Sequence, residues 1–173
     1  MRVPRVIIGA AALLLAAACS DAIAPTHAPE RVPAVRPNAA ISGGALVRSQ
    51  LPAGRCMEVN GGTETASAGL PIAIWDCHGG DNQRWTLPAT GTTGEIRAYD
   101  MCLDAWGAQG NDGDALVIWP CHGGSNQQWT VTAEGEIRAF NGKCADVWFA
   151  LDENGATLKL YGCHGGPNQR WQP

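Results

Sequence analysis

Three stretches decide the fold: Cys77-His78-Gly79-Gly80-Asp81-Asn82-Gln83-Arg84-Trp85, then CHGGSNQQW from Cys121 to Trp129, then CHGGPNQRW from Cys163 to Trp171. Their starts lie 44 and 42 positions apart. Working outward, a glycine stands six residues before the aromatic that leads into each stretch: Gly69 before Trp75, Gly113 before Trp119, Gly155 before Tyr161. Further upstream lie Cys56-Met57-Glu58-Val59, Cys102-Leu103-Asp104-Ala105-Trp106 and Cys144-Ala145-Asp146-Val147-Trp148. Two units open with Gly94-Glu95-Ile96-Arg97 and Gly135-Glu136-Ile137-Arg138, and Gly44-Ala45-Leu46-Val47-Arg48 is a weaker echo. Three copies, at about 44–88, 89–132 and 133–173, fill the chain from residue 44 without remainder. Self-similarity at such a period is the signature of a repeat architecture.

Each copy reads as β. Short apolar runs (Ile72–Trp75, Leu116–Trp119, Leu158–Tyr161) sit between Gly/Asn/Asp turns, and no long stripe of helical period appears. Propeller blades have a similar length, but three are too few to close a propeller. A closed three-fold β structure remains.

Gln-x-Trp three times, with paired cysteines and Cys-x-Asp, resembles the ricin B-chain type lectin family, the R-type carbohydrate-binding modules. The resemblance covers residues 44–173. It implies an all-β fold, the β-trefoil: twelve strands, a six-stranded barrel capped by three hairpins, and up to three sugar sites termed α, β and γ. It also implies a non-enzymatic protein that needs no cofactor.

Of seven cysteines, six belong to the repeats. Six cysteines in a small exported domain read as disulfides, and the repeat suggests pairing inside each unit: Cys56–Cys77, Cys102–Cys121 and Cys144–Cys163. The seventh, Cys19, follows Arg2, Arg5 and the apolar run Val6–Ala18. That run is too short to span a bilayer and has the grammar of a secretory signal. Leu15-Ala16-Ala17-Ala18-Cys19 resembles a bacterial lipobox, although Ala16 replaces the usual branched aliphatic residue. The expectation is a signal peptide over 1–18, a lipidated Cys19 that ties the protein to a membrane, and a Pro/Ala-rich linker over 19–43. Without the lipid, the protein would be secreted.

A sugar offers an apolar C–H face and a rim of hydroxyls, so a lectin site needs an aromatic platform beside fixed carboxylate and amide groups. The resemblance assigns such a set to each unit: Glu58 (in place of Asp), Trp75, His78 and Asn82 at α; Asp104, Trp119, His122 and Asn126 at β; Asp146, Tyr161, His164 and Asn168 at γ. The acid takes paired hydroxyls, the aromatic stacks and the asparagine bonds a ring hydroxyl. Glu58 is one methylene longer, which displaces its carboxylate and ranks α below β and γ. Many family members place Gln two residues before the platform; here Ala73, Val117 and Lys159 stand there, with Lys159 a possible substitute donor. Gln83/Trp85, Gln127/Trp129 and Gln169/Trp171 read as structural. Trp106 and Trp148 fit either a second aromatic wall or a hydrophobic contact beneath the hairpins.

Residues 44–173 carry eight Lys/Arg against fourteen Asp/Glu, a poor match for nucleic acid. The Cys-His pairs do not argue for zinc, since each cysteine has a disulfide partner; no metal is expected. Asn111-Asp112-Gly113-Asp114 lacks the later ligands of a calcium loop and reads as a turn. Polar residues that recur three times offer no single asymmetric catalytic set. The expected activity is binding of galactose- or xylose-type polysaccharide by a monomer; the alternative is a protein-interaction or inhibitor trefoil with vestigial sugar sites.

Overall fold

A computed structural model describes residues 44–62 and 65–173; the expected signal, Cys19 and linker lie outside the described residues. Twelve strands follow one another: β1 Arg48–Ser49, β2 Cys56–Val59, β3 Ile72–Trp75, β4 Thr93–Gly94, β5 Arg97–Ala98, β6 Met101–Ala105, β7 Leu116–Trp119, β8 Trp129–Val131, β9 Ile137–Ala139, β10 Cys144–Val147, β11 Leu158–Tyr161 and β12 Trp171–Gln172. Each repeat ends in a single 3-10 turn that leads into the Trp of Gln-x-Trp: Asp81–Gln83, Ser125–Gln127 and Pro167–Gln169. The fold is the expected all-β trefoil.

Two closures make it a trefoil. At the barrel, β12 pairs antiparallel with β1 (Arg48 opposite Gln172, Ser49 opposite Trp171), so the last strand seals against the first. At the cap, β2–β3, β6–β7 and β10–β11 form three hairpins with matching registers, Cys56 opposite Trp75, Cys102 opposite Trp119 and Cys144 opposite Tyr161. The hairpins bond in a ring. The amide of Gly69 donates to Ile118 O, that of Gly113 to Leu160 O and that of Gly155 to Ile74 O, at 2.8, 2.8 and 2.9 Å. These glycines have φ of 88, 90 and 88°, a region that favours glycine, which explains their fixed place in every repeat.

The core repeats as well. Trp85, Trp129 and Trp171 are sealed at 0, 0 and 2% exposure, and each indole Nε1–H donates to a carbonyl of its own repeat: Met57 O at 2.8 Å, Leu103 O at 2.9 Å, Ala145 O at 3.2 Å. A buried Trp thus contributes its large apolar area without leaving a polar atom unpaired. Val47, Ile96 and Ile137 lie beneath them. Val47 rather than Leu46 takes the isoleucine's place, so the weak echo at Gly44 runs one residue longer than its counterparts. All three disulfides form as expected, with Cα–Cα distances of 5.1 Å. Each closes a loop of about 20 residues, worth roughly 3 kcal/mol in chain entropy.

Candidate carbohydrate-binding sites

The site in each repeat is built around the buried glutamine of Gln-x-Trp. In the second repeat, Gln127 Oε1 accepts the backbone N–H of His122 at 2.8 Å. Its Nε2 donates to Asp104 Oδ2 at 2.9 Å and to Pro120 O at 3.1 Å. Gln169 does the same with His164 N, Asp146 Oδ2 and Gly162 O, and Gln83 with His78 N, Glu58 Oε2 and Asp76 O. The fully buried amide fixes the acid on one strand against the CHGG loop. Gln83, Gln127 and Gln169 are buried along with the tryptophans two residues on.

The acids are nearly buried: Glu58 at 4%, Asp104 at 3% and Asp146 at 3% exposure. One oxygen of each collects the protein's donors. Besides the glutamine, Asp104 Oδ2 faces His122 Nε2 at 3.3 Å, and Asp146 Oδ2 accepts from Asn168 Nδ2 at 2.8 Å with His164 Nε2 at 3.5 Å. The other oxygen has no protein partner among the described residues, yet it is not among the sealed unsatisfied atoms, of which Ser49 Oγ is the one described. It therefore keeps some contact with the open side of the site. Burial pushes the Asp146 carboxyl above the ordinary aspartate range, against the opposing pull of Gln169, Asn168 and His164.

Glu58 does not leave this arrangement. Its Oε2 reaches Gln83 at 3.0 Å, Asn82 at 3.2 Å and His78 at 3.3 Å, so the extra methylene is absorbed and the carboxylate meets the same three side-chain types. Asparagine is more occupied than its sequence role implied. Asn168 Nδ2 donates to both Asp146 and Val147 O, and Asn126 Nδ2 to Ala105 O. The histidines lie half-exposed at the rim. Each Nδ1 accepts the N–H of the glycine two residues on, at 3.1 to 3.2 Å, which places the ring proton on Nε2, toward the acid.

Trp119 and Tyr161 face open cavities. Asp104, Trp106, Gly107, Ala108, Trp119, His122 and Asn126 line one of about 410 Å³. Asp146, Trp148, Phe149, Ala150, Tyr161, His164 and Asn168 line another of about 310 Å³. Trp106 and Trp148 both line the cavities. Trp106 meets Trp119 edge to face at 5.0 Å and 69°, and Trp148 meets Tyr161 at 5.8 Å and 74°. Each cavity thus has two roughly perpendicular aromatic walls. At α the corresponding residue is Asn60, and no described ring packs on the exposed Trp75. Phe149 was not singled out from the sequence; its place directly after Trp148 is the only signal of it.

Across the hairpins, Glu58, Asp104 and Asp146 stand opposite Ala73, Val117 and Lys159. Ala73 and Val117 offer the site no polar group. Lys159 Nζ sits 4.6 Å from the Trp148 ring centroid, a cation–π contact that engages the ammonium. The Asn111–Asp114 segment is a turn, with Asn111 N donating to Asp114 Oδ2 and Asp112 Oδ1 accepting from Lys143 Nζ.

Comparison with known proteins places this geometry. The family profile described as ricin-type beta-trefoil lectin domain matches residues 44–105 and 92–173. A designed three-fold symmetric protein, ThreeFoil, is 27% identical and superposes with a TM-score of 0.66, over 73% of this chain and 94% of its own. The C-terminal half of an earthworm R-type lectin, solved with GalNAc, is 24% identical with a TM-score of 0.59 over 73% and 94%. An exo-beta-1,3-galactanase from Clostridium thermocellum is 24% identical with a TM-score of 0.66, over 73% of this chain but 29% of the enzyme. At these identities the last two show the shared fold. With the profile spanning all three repeats, the chain belongs to the ricin-type β-trefoil lectin family.

Proposed function

We propose that this protein binds galactose- or xylose-type polysaccharide, without chemical turnover, through the β and γ cavities, with α a weaker third site. The observation that carries this reading is the half-bonded acid at the foot of two perpendicular rings. One carboxylate oxygen is fixed by glutamine and histidine, while the other is left to accept paired hydroxyls as the C–H face of a sugar lies on Trp119 or Tyr161. The missing cross-strand donors at α and β shift the recognition toward stacking, which suits a neutral polymer. Repetition of one acid per unit supplies no pair of carboxylates poised for hydrolysis, and no cofactor enters the reading. In the same reading residues 1–18 direct export and a lipid on Cys19 anchors the protein to a membrane.

The test is a glycan array and affinity electrophoresis in galactan and xylan gels, with Asp104→Asn and Asp146→Asn. Asparagine keeps an oxygen for Gln127 or Gln169, so the fold is preserved while the oxygen that accepts from the sugar becomes an NH2 donor. The double variant should run unretarded while melting no lower than the wild type; full retardation would defeat the site assignment.

A further inference from the structure

Phe149 is 76% exposed, the highest value among the large apolar side chains described. Its backbone is left-handed, φ 57° and ψ 18°, an outlier conformation for a bulky residue. The equivalent positions in the other repeats are Gly61 (φ 79°) and Gly107 (φ 77°), and glycine takes this conformation without strain at that residue. The γ repeat therefore bears a backbone cost to hold an apolar ring in water. Its described ring contact within the chain is Trp148, tilted 54° at 4.8 Å. Strain of this kind collects at binding sites. Phe149 borders the same cavity as Asp146 and Tyr161, so its occupant is continuous with theirs.

The geometry points to an extended γ site, in which Tyr161 and Asp146 take one sugar residue and Phe149 stacks on the next residue of a neutral chain, making Phe149 the determinant of ligand length. The β site, with Gly107 there, takes a single residue. This rests on the carbohydrate reading above.

The experiment uses the full chain carrying Glu58→Gln and Asp104→Asn, which leaves γ as the working site. Calorimetric titration with xylose, xylobiose and xylotriose, and with the β-1,3-linked galactose series, gives the ratio of disaccharide to monosaccharide affinity. Phe149→Gly restores the residue that the fold uses in the other repeats and relieves the backbone, so folding is not at risk. Expected is a ratio of about threefold to tenfold with Phe149 in place, the size of one ring contact, falling to near one in Phe149→Gly. An unchanged ratio in Phe149→Gly overturns the extended site. Failure of the wild-type chain to bind any of these saccharides overturns the carbohydrate reading, and this inference with it.

Discussion

At the scale of single residues, Asp146 combines burial with an oxygen proposed to accept from the ligand, and this gives its titration a sign. Its carboxyl lies above the ordinary aspartate range because of burial. Since Oδ2 is surrounded by the donors of Gln169 and Asn168, an added proton goes to Oδ1, turning the ligand's acceptor into a donor. Binding at γ should therefore weaken on acidification while an ordinary aspartate is still ionised. For stability the sign is opposite: the folded state takes up this proton before the unfolded chain, so as pH falls through the raised pKa toward the ordinary value, this residue makes the fold more stable. Binding titrations of an Asp104→Asn variant from neutral to acid pH check the first. Thermal melts of that variant beside the same chain with Asp146→Asn check the second, since the difference cancels groups such as Asp112 and Glu134 whose lowered pKa values act the other way. A contribution of Asp146 that shrinks as pH falls would contradict the assignment. Gln127 tests the scaffold. Gln127→Ala leaves a buried carboxylate and a carbonyl without their donor and should cost about 2–3 kcal/mol by denaturant unfolding. Polar recurrence made these residues legible from sequence. Phe149 and the placement of Trp106 and Trp148 were not, because they lie in the short turns after the strands, which hold positive-φ residues (Gly107, Phe149) and carry no hydrophobic period.

At the scale of elements, the seams between repeats obey a rule that only the structure makes visible. In two of the three seams the residue after the platform aromatic meets a turn of a neighbouring repeat. Asp76 N–H donates to Asn154 Oδ1 at 2.9 Å, and Gly162 N–H donates to Asp112 Oδ1 at 3.0 Å. In both seams a cation binds the same acceptor: Arg55 Nε to Asn154 Oδ1 at 2.8 Å, Lys143 Nζ to Asp112 Oδ1 at 2.6 Å. In the third seam the corresponding residue is Pro120, which has no N–H, and there Ala68 and Met101 replace the acceptor and the cation. Donor, acceptor and charge vanish together. Asn154→Ala should thus lower stability by about 1–2 kcal/mol, read from thermal melts, while Ala68→Asn should change nothing because Pro120 cannot donate. A gain from Ala68→Asn would show that these bonds are not what joins the repeats. The three-fold repeat and the disulfide pairing were readable in the spacing of Cys, Gly and Gln-x-Trp; the seams were not, since their partners lie in different repeats and differ in identity.

At the scale of the whole molecule, magnitudes decide how the proposed sites act together. One shallow site at about 1 mM corresponds to about −4 kcal/mol. A second site on the same molecule sees a polymer at an effective concentration of roughly millimolar, so the pair gains only severalfold over one. Retention of polysaccharide then depends on many molecules being held on one surface, and the proposed lipid on Cys19 supplies that surface. Cys19→Ser keeps all of residues 44–173 and removes the attachment point. Expressed in a lipoprotein-processing bacterial host, wild type should sediment with membranes and Cys19→Ser should appear in the soluble exported fraction. Membranes carrying the wild type should hold galactan or xylan far more tightly, at equal protein, than the soluble variant holds it, whereas monosaccharide affinity stays the same. A Cys19→Ser chain that remains with the membrane removes the lipid from the argument. Equal polymer affinity in the two forms would mean instead that the sites on a single molecule suffice.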